Sequence, residues 1–231
     1  MRERPIVAID GPSGAGKTTV SKLLARRAGL TRLDTGAMYR ACALAARRSN
    51  IPWSDGKRLG RMCVGLSIGF RREGEEMRLS LAGEDVSDAI RTPEISMGAS
   101  EVSVHVPVRE AMVALQRKMG EEGGIVLEGR DTGTVVFPDA EAKFFLDAHA
   151  AVRALRRYRE WAAAEGKTYE EVLQDVLRRD IQDSTRQHSP LRMAEEATYI
   201  DSTTLTAEEV VEEMLRNIPS PMPRTSVGEK S

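Results

Sequence analysis

Ile6-Val7-Ala8-Ile9-Asp10-Gly11-Pro12-Ser13-Gly14-Ala15-Gly16-Lys17-Thr18 joins a short apolar run to a complete G-x-x-x-x-G-K-[ST] pattern. The apolar run reads as a buried strand, and the glycine-rich octapeptide reads as a loop opening a helix. Gly11, Gly14 and Gly16 let backbone N–H groups converge on phosphate oxygens without Cβ clashes, and the helix start adds unpaired amides. Lys17 is expected to reach the β- and γ-phosphates, and Thr18 to offer its hydroxyl to Mg²⁺. The predicted triphosphate site is therefore Gly11, Pro12, Ser13, Gly14, Ala15, Gly16, Lys17, Thr18 and Thr19. Asp10 either polarises the loop or ends the strand.

The chain has 231 residues, enough for one large domain or a domain carrying an insertion. Lys and Arg number 34 against 35 Asp and Glu, a formal charge of −1, so no global basic field invites nucleic acid or an anionic membrane. Trp53 and Trp161 are too separated for a base-stacking platform, and His105, His149 and His188 lack zinc-ligand spacing. Cys42 and Cys63 are the only cysteines, which fits a reducing compartment. No apolar run approaches the roughly 18 residues of a membrane span. Met1-Arg2-Glu3-Arg4 leads into a strand, not a signal segment, so a soluble cytoplasmic protein is expected.

Working outward from the loop, Thr19 to Ala28 reads as a helix stopped by Gly29, and Leu30 to Asp34 as a second strand. Its end delivers Asp34, Thr35 and Arg40 beside the phosphate loop, where open α/β sheets place ligand contacts. Residues 53–90 change character: glycines punctuate short alternating stretches such as Leu66–Phe70 and Met77–Leu81, an antiparallel signature that predicts an inserted module. Thr92-Pro93-Glu94 opens a helix with Ile95, Ala99, Val102 and Val106 on its apolar side, and another helix follows from Pro107. Ile125-Val126-Leu127 and Ala142 to Leu146 read as parallel strands, with a short last one from Tyr199. Thr168-Tyr169-Glu170-Glu171 and Thr206-Ala207-Glu208-Glu209 are expected capping boxes. Ser87 is a candidate helix cap. From residue 219 on, Pro, Ser and charge predict a loose tail.

A phosphate loop alone does not separate kinases from hydrolases and switches. Arg40, Arg109, Arg130, Arg179 and Arg186 lie near element ends, and converging guanidinium groups suit two phosphate-bearing substrates. No guanine-reading Asn-Lys-x-Asp segment is present. Arg153, Arg156, Arg157 and Arg159 form either a solvated basic face or part of a lid. Glu128 either orients a magnesium-bound water or is structural.

Five segments together resemble the bacterial cytidylate kinases: Asp10–Thr18, Leu33-Asp-Thr-Gly-Ala-Met-Tyr-Arg40, Gly83-Glu-Asp-Val-Ser87 with Ile90-Arg91-Thr92, Gly129-Arg-Asp-Thr-Gly-Thr-Val-Val-Phe-Pro-Asp139, and Asp201-Ser-Thr-Thr204. The resemblance runs from residue 6 to about 215. It implies a P-loop nucleoside monophosphate kinase fold with a five-stranded parallel sheet flanked by helices, an inserted monophosphate-binding module over 53–91, and a core over 1–52 and 92–218 that includes a mobile lid at about 153–168. It further implies transfer of the γ-phosphoryl group of ATP, with Mg²⁺, to CMP or dCMP. By the same resemblance, Arg40, Arg130 and Arg186 hold the acceptor phosphate and Arg179 and Asp183 approach the ribose. Ser100, Arg109 and Asp131, with Thr35, face cytosine, while Lys17 and Arg156 or Arg157 stabilise the transferring group. Many members carry Ser at the Thr35 position and Gly at the Thr19 position; Thr35 keeps the hydroxyl, and Thr19 is expected to touch helix packing.

The base assignment has its own chemistry. Cytosine offers an N4 donor that the Asp131 carboxylate can accept, whereas uracil would set O4 against it; an unmet buried charged acceptor costs at least roughly 1 to 3 kcal/mol. The expected partners are ATP and CMP or dCMP, with a monomeric chain. The competing readings are a kinase for UMP or another small phosphate acceptor, and a phosphate-loop module that recruits a protein through residues 60–90.

Overall fold

Strand β1 (Ile6–Asp10) is buried at every position, as a central parallel strand covered on both faces must be. It belongs to a computed structural model that describes residues 2–74, 76–162 and 166–219. The expected tail beyond residue 219, and residues 163–165 of the expected lid, lie outside the described residues. After β1 come α1 (Lys17–Ala28), β2 (Thr31–Asp34), α2 (Thr35–Arg48) and α3 (Gly56–Val64). Three strands follow, β3 (Ile68–Glu73), β4 (Glu76–Leu81) and β5 (Glu84–Asp85), then α4 (Pro93–Val102) and α5 (Val106–Met119). The chain continues through β6 (Ile125–Gly129), a wide turn at Thr132–Val136, β7 (Ala142–Asp147), α6 (Ala150–Arg157), α7 (Tyr169–Thr185), β8 (Thr198–Asp201) and α8 (Ala207–Asn217).

The main sheet has five strands in the order β2-β6-β1-β7-β8, all parallel. Register sets Asp10 opposite Gly129 and Asp34 opposite Glu128, so the carboxyl ends of β1, β2 and β6 finish on one rim. That rim is where an open α/β sheet presents ligand groups. One face packs Val7, Ile9, Leu24, Phe144 and Leu146 against Val211 and Met214 of α8. The second, smaller sheet, β3-β4-β5, is antiparallel. Its Ile68, Leu79 and Leu81 share a core cluster with Met38 and Leu44 of α2 and Met112 of α5.

Local chemistry explains most boundaries. Thr92 accepts from Ile95 N and has Pro93 in the first turn of α4, as expected. Both capping boxes form, Thr168 with Glu171 and Thr206 with Glu209, giving α7 and α8 reciprocal N-terminal hydrogen bonds. Four expectations need correction. The helix from Thr92 stops at Val102, and Val106 begins α5, because His105 is extended and Pro107 has no N–H to continue a helix. Gly56 and Gly60 do not punctuate strands. They lie in α3, capped by Asp55, and let it approach α5: a Cβ on Gly60 would sit 2.3 Å from Pro107 Cβ, and one on Gly56 2.5 Å from the His105 ring. Ser87 caps no helix; its buried hydroxyl accepts from Leu79 N at 2.8 Å. Thr19 is exposed instead of packed, and it lines the cleft described below.

The start of the phosphate loop is fixed by a close approach. Gly11 has φ +151°. A Cβ there would lie 1.9 Å from the Leu146 carbonyl oxygen of β7. Substituting Gly11→Ala is expected to cost about 3 kcal/mol of unfolding free energy, through overpacking combined with backbone strain. Urea denaturation measures this, and a loss below about 1 kcal/mol would show that β7 yields.

Candidate active site

The loop between β1 and α1 curls around its own lysine. Lys17 Nζ donates to the carbonyls of Gly11 at 2.7 Å and Pro12 at 2.6 Å. Burial and the nearby Arg130 guanidinium push the Lys17 pKa well below the ordinary lysine value, with Glu128 opposing. Thr18 Oγ1 donates to Glu128 Oε2 at 2.9 Å, and Ser21 Oγ to Glu128 Oε1 at 3.0 Å. Asp10 ends β1 and turns away from the phosphate loop. It accepts from Thr132 N and Oγ1, both at 2.8 Å, and from Gly133 N at 2.7 Å. Burial still raises its pKa, against those three donors.

A second group of charged side chains faces the loop from α2, α5, α7 and the ends of β2 and β6. Asp34 caps α2 by accepting from Ala37 N, and its other oxygen accepts from Arg40 Nη2 at 3.2 Å. Burial works against ionisation of Asp34, but Arg40 and Arg32 overcome it and hold the pKa below the usual carboxylate value. Thr35 Oγ1 donates to the Glu128 carbonyl at 2.6 Å. Arg109 and Asp131 form a buried ion pair, Arg186 Nη2 stands 3.6 Å from the other Asp131 oxygen, and the Tyr39 ring lies 5.7 Å from the Arg109 guanidinium carbon. Arg179, Asp183 and Arg186 project from one side of α7 and its end, as i, i+4 and i+7 positions do. Asp183 accepts from Arg130 Nε at 2.6 Å, and Arg179 Nη2 donates to Ser100 Oγ at 2.6 Å. Burial, then repulsion from Arg130 and Arg157, lowers the Arg179 pKa to about 10.

The arginines of α6 and of the turn that follows it divide by role. Arg153 is buried and holds Asp180 of α7 with two bonds, 3.0 and 2.7 Å, while donating to the Ser13 carbonyl at 3.1 Å. Its backbone packs on the phosphate loop, since a Cβ on Gly14 would lie 2.9 Å from the Arg153 carbonyl oxygen. Arg156 donates to Ser202 Oγ and O at 3.1 and 2.6 Å, and Arg157 donates to Ser13 Oγ at 2.8 Å. Only Arg159 fits the picture of a solvated basic face.

These elements enclose a cleft of about 980 Å³. Every residue that sequence reasoning placed at the site lines it except Gly11 and Pro12, which form the loop's floor behind Lys17. Ten cationic side chains and five carboxylates face it, in a chain whose net formal charge is −1. Sequence reasoning assigned no place in the cleft to Lys22, Arg91, Ser202, Leu205 and Val210. Ser202 was visible within Asp201-Ser-Thr-Thr204, whereas Val210 lies on the apolar side of α8, which serves both the core and the cleft wall, and Leu205 just before α8 gives no motif signal.

Thr18 and Glu128 bring a hydroxyl and a carboxylate together at the start of α1. This hard-oxygen pair fits Mg²⁺ that takes its remaining ligands from phosphates and water. Among the described residues, no cluster of three or more His, Cys, Asp or Glu could hold a metal by itself. No helix among them is long and apolar enough to cross a membrane.

Residues 7–220 match the sequence profile of the family described as Cytidylate kinase. A protein of Geobacter sp. (strain M21) named Cytidylate kinase is 56% identical over 214 residues, which cover 92% of this chain and 92% of that one. One of the same name from Syntrophotalea carbinolica is 50% identical over 217 residues, 94% of this chain and 92% of the other. Among solved structures, an uncharacterized protein from Eubacterium ventriosum gives a TM-score of 0.53 at 11% identity, over 93% of this chain and 98% of that one, a likeness of fold alone. The profile spans the phosphate loop, the smaller sheet and the arginine-bearing α6 and α7 alike, and the chain belongs to the cytidylate kinase family.

Proposed function

We propose that this chain transfers the γ-phosphoryl group of ATP to CMP or dCMP, giving CDP or dCDP and ADP, with each named side chain acting from the position described above. The observation that carries this is the meeting, in one cleft, of a phosphate loop and a separate arginine set whose carboxylate partners hold it in place. A hydrolase needs only the first.

In the mechanism that follows, the triphosphate lies along the amides of Gly11 to Thr19. Lys17 exchanges its two loop carbonyls for phosphate oxygens, which favour its cationic form. Thr18 with Glu128 would hold Mg²⁺, which when bound offsets phosphate charge. Arg40, Arg130 and Arg186 hold the acceptor phosphate, and one of its oxygens attacks the γ-phosphorus in line. The acceptor dianion needs no general base, so positioning and charge stabilisation account for the catalysis. Asp131 accepts from cytosine N4, Ser100 and Arg109 donate to N3 or O2, Thr35 supports the base, and Arg179 and Asp183 approach the ribose. Residues 53–91 act as the acceptor-side module on a core of 1–52 and 92–218, and the segment at about 153–168 closes as a lid, bringing Arg156 or Arg157 over the reacting group and excluding water. The chain works as a cytoplasmic monomer on small molecules, since one chain supplies both halves of the cleft.

ADP release from Mg-ATP, measured with CMP, dCMP, UMP, AMP and no acceptor, tests the activity directly. Strong turnover with CMP and dCMP is expected; equal release in every well would make the protein an ATPase. Asp131→Asn keeps shape but offers uracil O4 a donor, so the CMP-to-UMP ratio of kcat/KM should fall about tenfold. An unchanged ratio would remove Asp131 from base selection. Arg156→Ala and Arg157→Ala, made separately, should reveal one variant with kcat down about 100-fold. Two near-normal variants would mean that neither guanidinium reaches the transferring group.

A further inference from the structure

Between the two halves of the cleft lies a buried cation that has no part in the mechanism above. Arg32, the second residue of β2, is 7% exposed. Its Nε donates to Ser21 Oγ at 2.8 Å and Glu128 Oε1 at 3.0 Å, and its Nη2 reaches Glu128 and, at 3.2 Å, Asp34 Oδ2. Each of these carboxylates has a second task. The other oxygen of Glu128 accepts from Thr18 Oγ1, at the triphosphate end. The same Asp34 oxygen accepts from Arg40, at the acceptor end, while Asp34 Oδ1 caps α2. The chain Thr18–Glu128–Arg32–Asp34–Arg40 therefore runs unbroken from one substrate's side to the other's.

One planar guanidinium can satisfy this demand and a lysine cannot. Asp34 and Glu128 stand opposite each other in the β2–β6 register, so two carboxylates meet at a rim where like charges repel. The fork of Arg32 presents several N–H groups in a fixed plane and contacts both at once. An ammonium is a point charge that would settle on one and release the other.

We infer, on the basis of the phosphoryl transfer proposed above, that Arg32 is a positioning residue: it sets the geometry of Glu128 for Thr18 and its metal, and of Asp34 for the acceptor-binding Arg40, so that the two ends of the reaction are aligned through one side chain. A purely structural ion pair would change the amount of folded protein and nothing about either substrate. A positioning role changes affinity on the side whose carboxylate is released, and on both sides when the cation is removed.

The test compares wild type with Arg32→Lys, which keeps the buried positive charge and so preserves the fold, and with Arg32→Met, which removes it. For Arg32→Lys, the thermal midpoint should stay within a few degrees of wild type. Of the dissociation constant for CMP, titrated calorimetrically on metal-free protein, and the Mg²⁺ concentration for half-maximal rate, at least one should rise about tenfold, the larger shift marking the carboxylate that the ammonium abandons. In Arg32→Met, both should rise about tenfold each if the protein folds. If Arg32→Met does not fold, Arg32→Lys alone decides. CMP affinity and Mg²⁺ dependence both within twofold of wild type in Arg32→Lys, whatever the change in kcat, would overturn the inference. A wild-type protein that releases no ADP in response to CMP would overturn the proposed activity and the inference with it; an active wild type beside an unshifted variant overturns the inference alone.

Discussion

The carboxylate of Asp10 is the joint on which the site is assembled. It sits at the end of β1, one residue before the phosphate loop, and binds the Thr132 and Gly133 amides and the Thr132 hydroxyl. Arg130 and Asp131 lie between the end of β6 and that turn, so their distance from the loop is set by β1 pairing with β6 on one side and by Asp10 on the other. A buried carboxylate is costly unless its oxygens are satisfied. Three donors meet that requirement, and they also leave the turn no second position.

The cleft carries more positive than negative side chains, yet its cations are not left to repel one another. Asp34 meets Arg40, Asp131 meets Arg109 and Asp183 meets Arg130, each carboxylate restraining a guanidinium at the wall. Such restraint removes conformational freedom before a ligand arrives, so less ordering remains to oppose binding. The excess of cations over carboxylates, ten against five, leaves positive charge that phosphate-bearing substrates of the proposed kind would neutralise.

Much of this architecture is legible in the residues themselves. The phosphate loop declares itself because glycine, lysine and threonine at that spacing have few other uses, and the capping boxes of α7 and α8 declare themselves because the hydrogen bonds are local. The α7 constellation is half visible: the spacing of Arg179, Asp183 and Arg186 aligns them, but only the fold shows that Arg130 and Ser100 come to meet them. What escapes is long-range packing. Gly56 and Gly60 look like turn residues because their partners, His105 and Pro107, are some fifty residues away in sequence. Arg153 looks like one of a surface cluster because Asp180 is on another helix. Arg32 shows locally only Asp34, two residues along its own strand, since its main anchor Glu128 belongs to a neighbouring strand.

Helices α6 and α7 are fastened to each other by Ala154, Val172 and Val176 and by the Arg153–Asp180 pair. α6 bears Arg156 and Arg157 beside the phosphate loop, and α7 bears Arg179 and Asp183 on the opposite wall. The two helices thus form one packed unit that reaches both walls of the cleft. Under the proposed roles, a tilt of α7 would be passed through the Arg153–Asp180 pair to the guanidinium groups of α6 beside the phosphate loop, and a shift of α6 would be passed back to the wall that carries Arg179 and Asp183. With the roles proposed for these residues, random substitutions along this pair of helices would rarely change the hold on one nucleotide without changing the hold on the other.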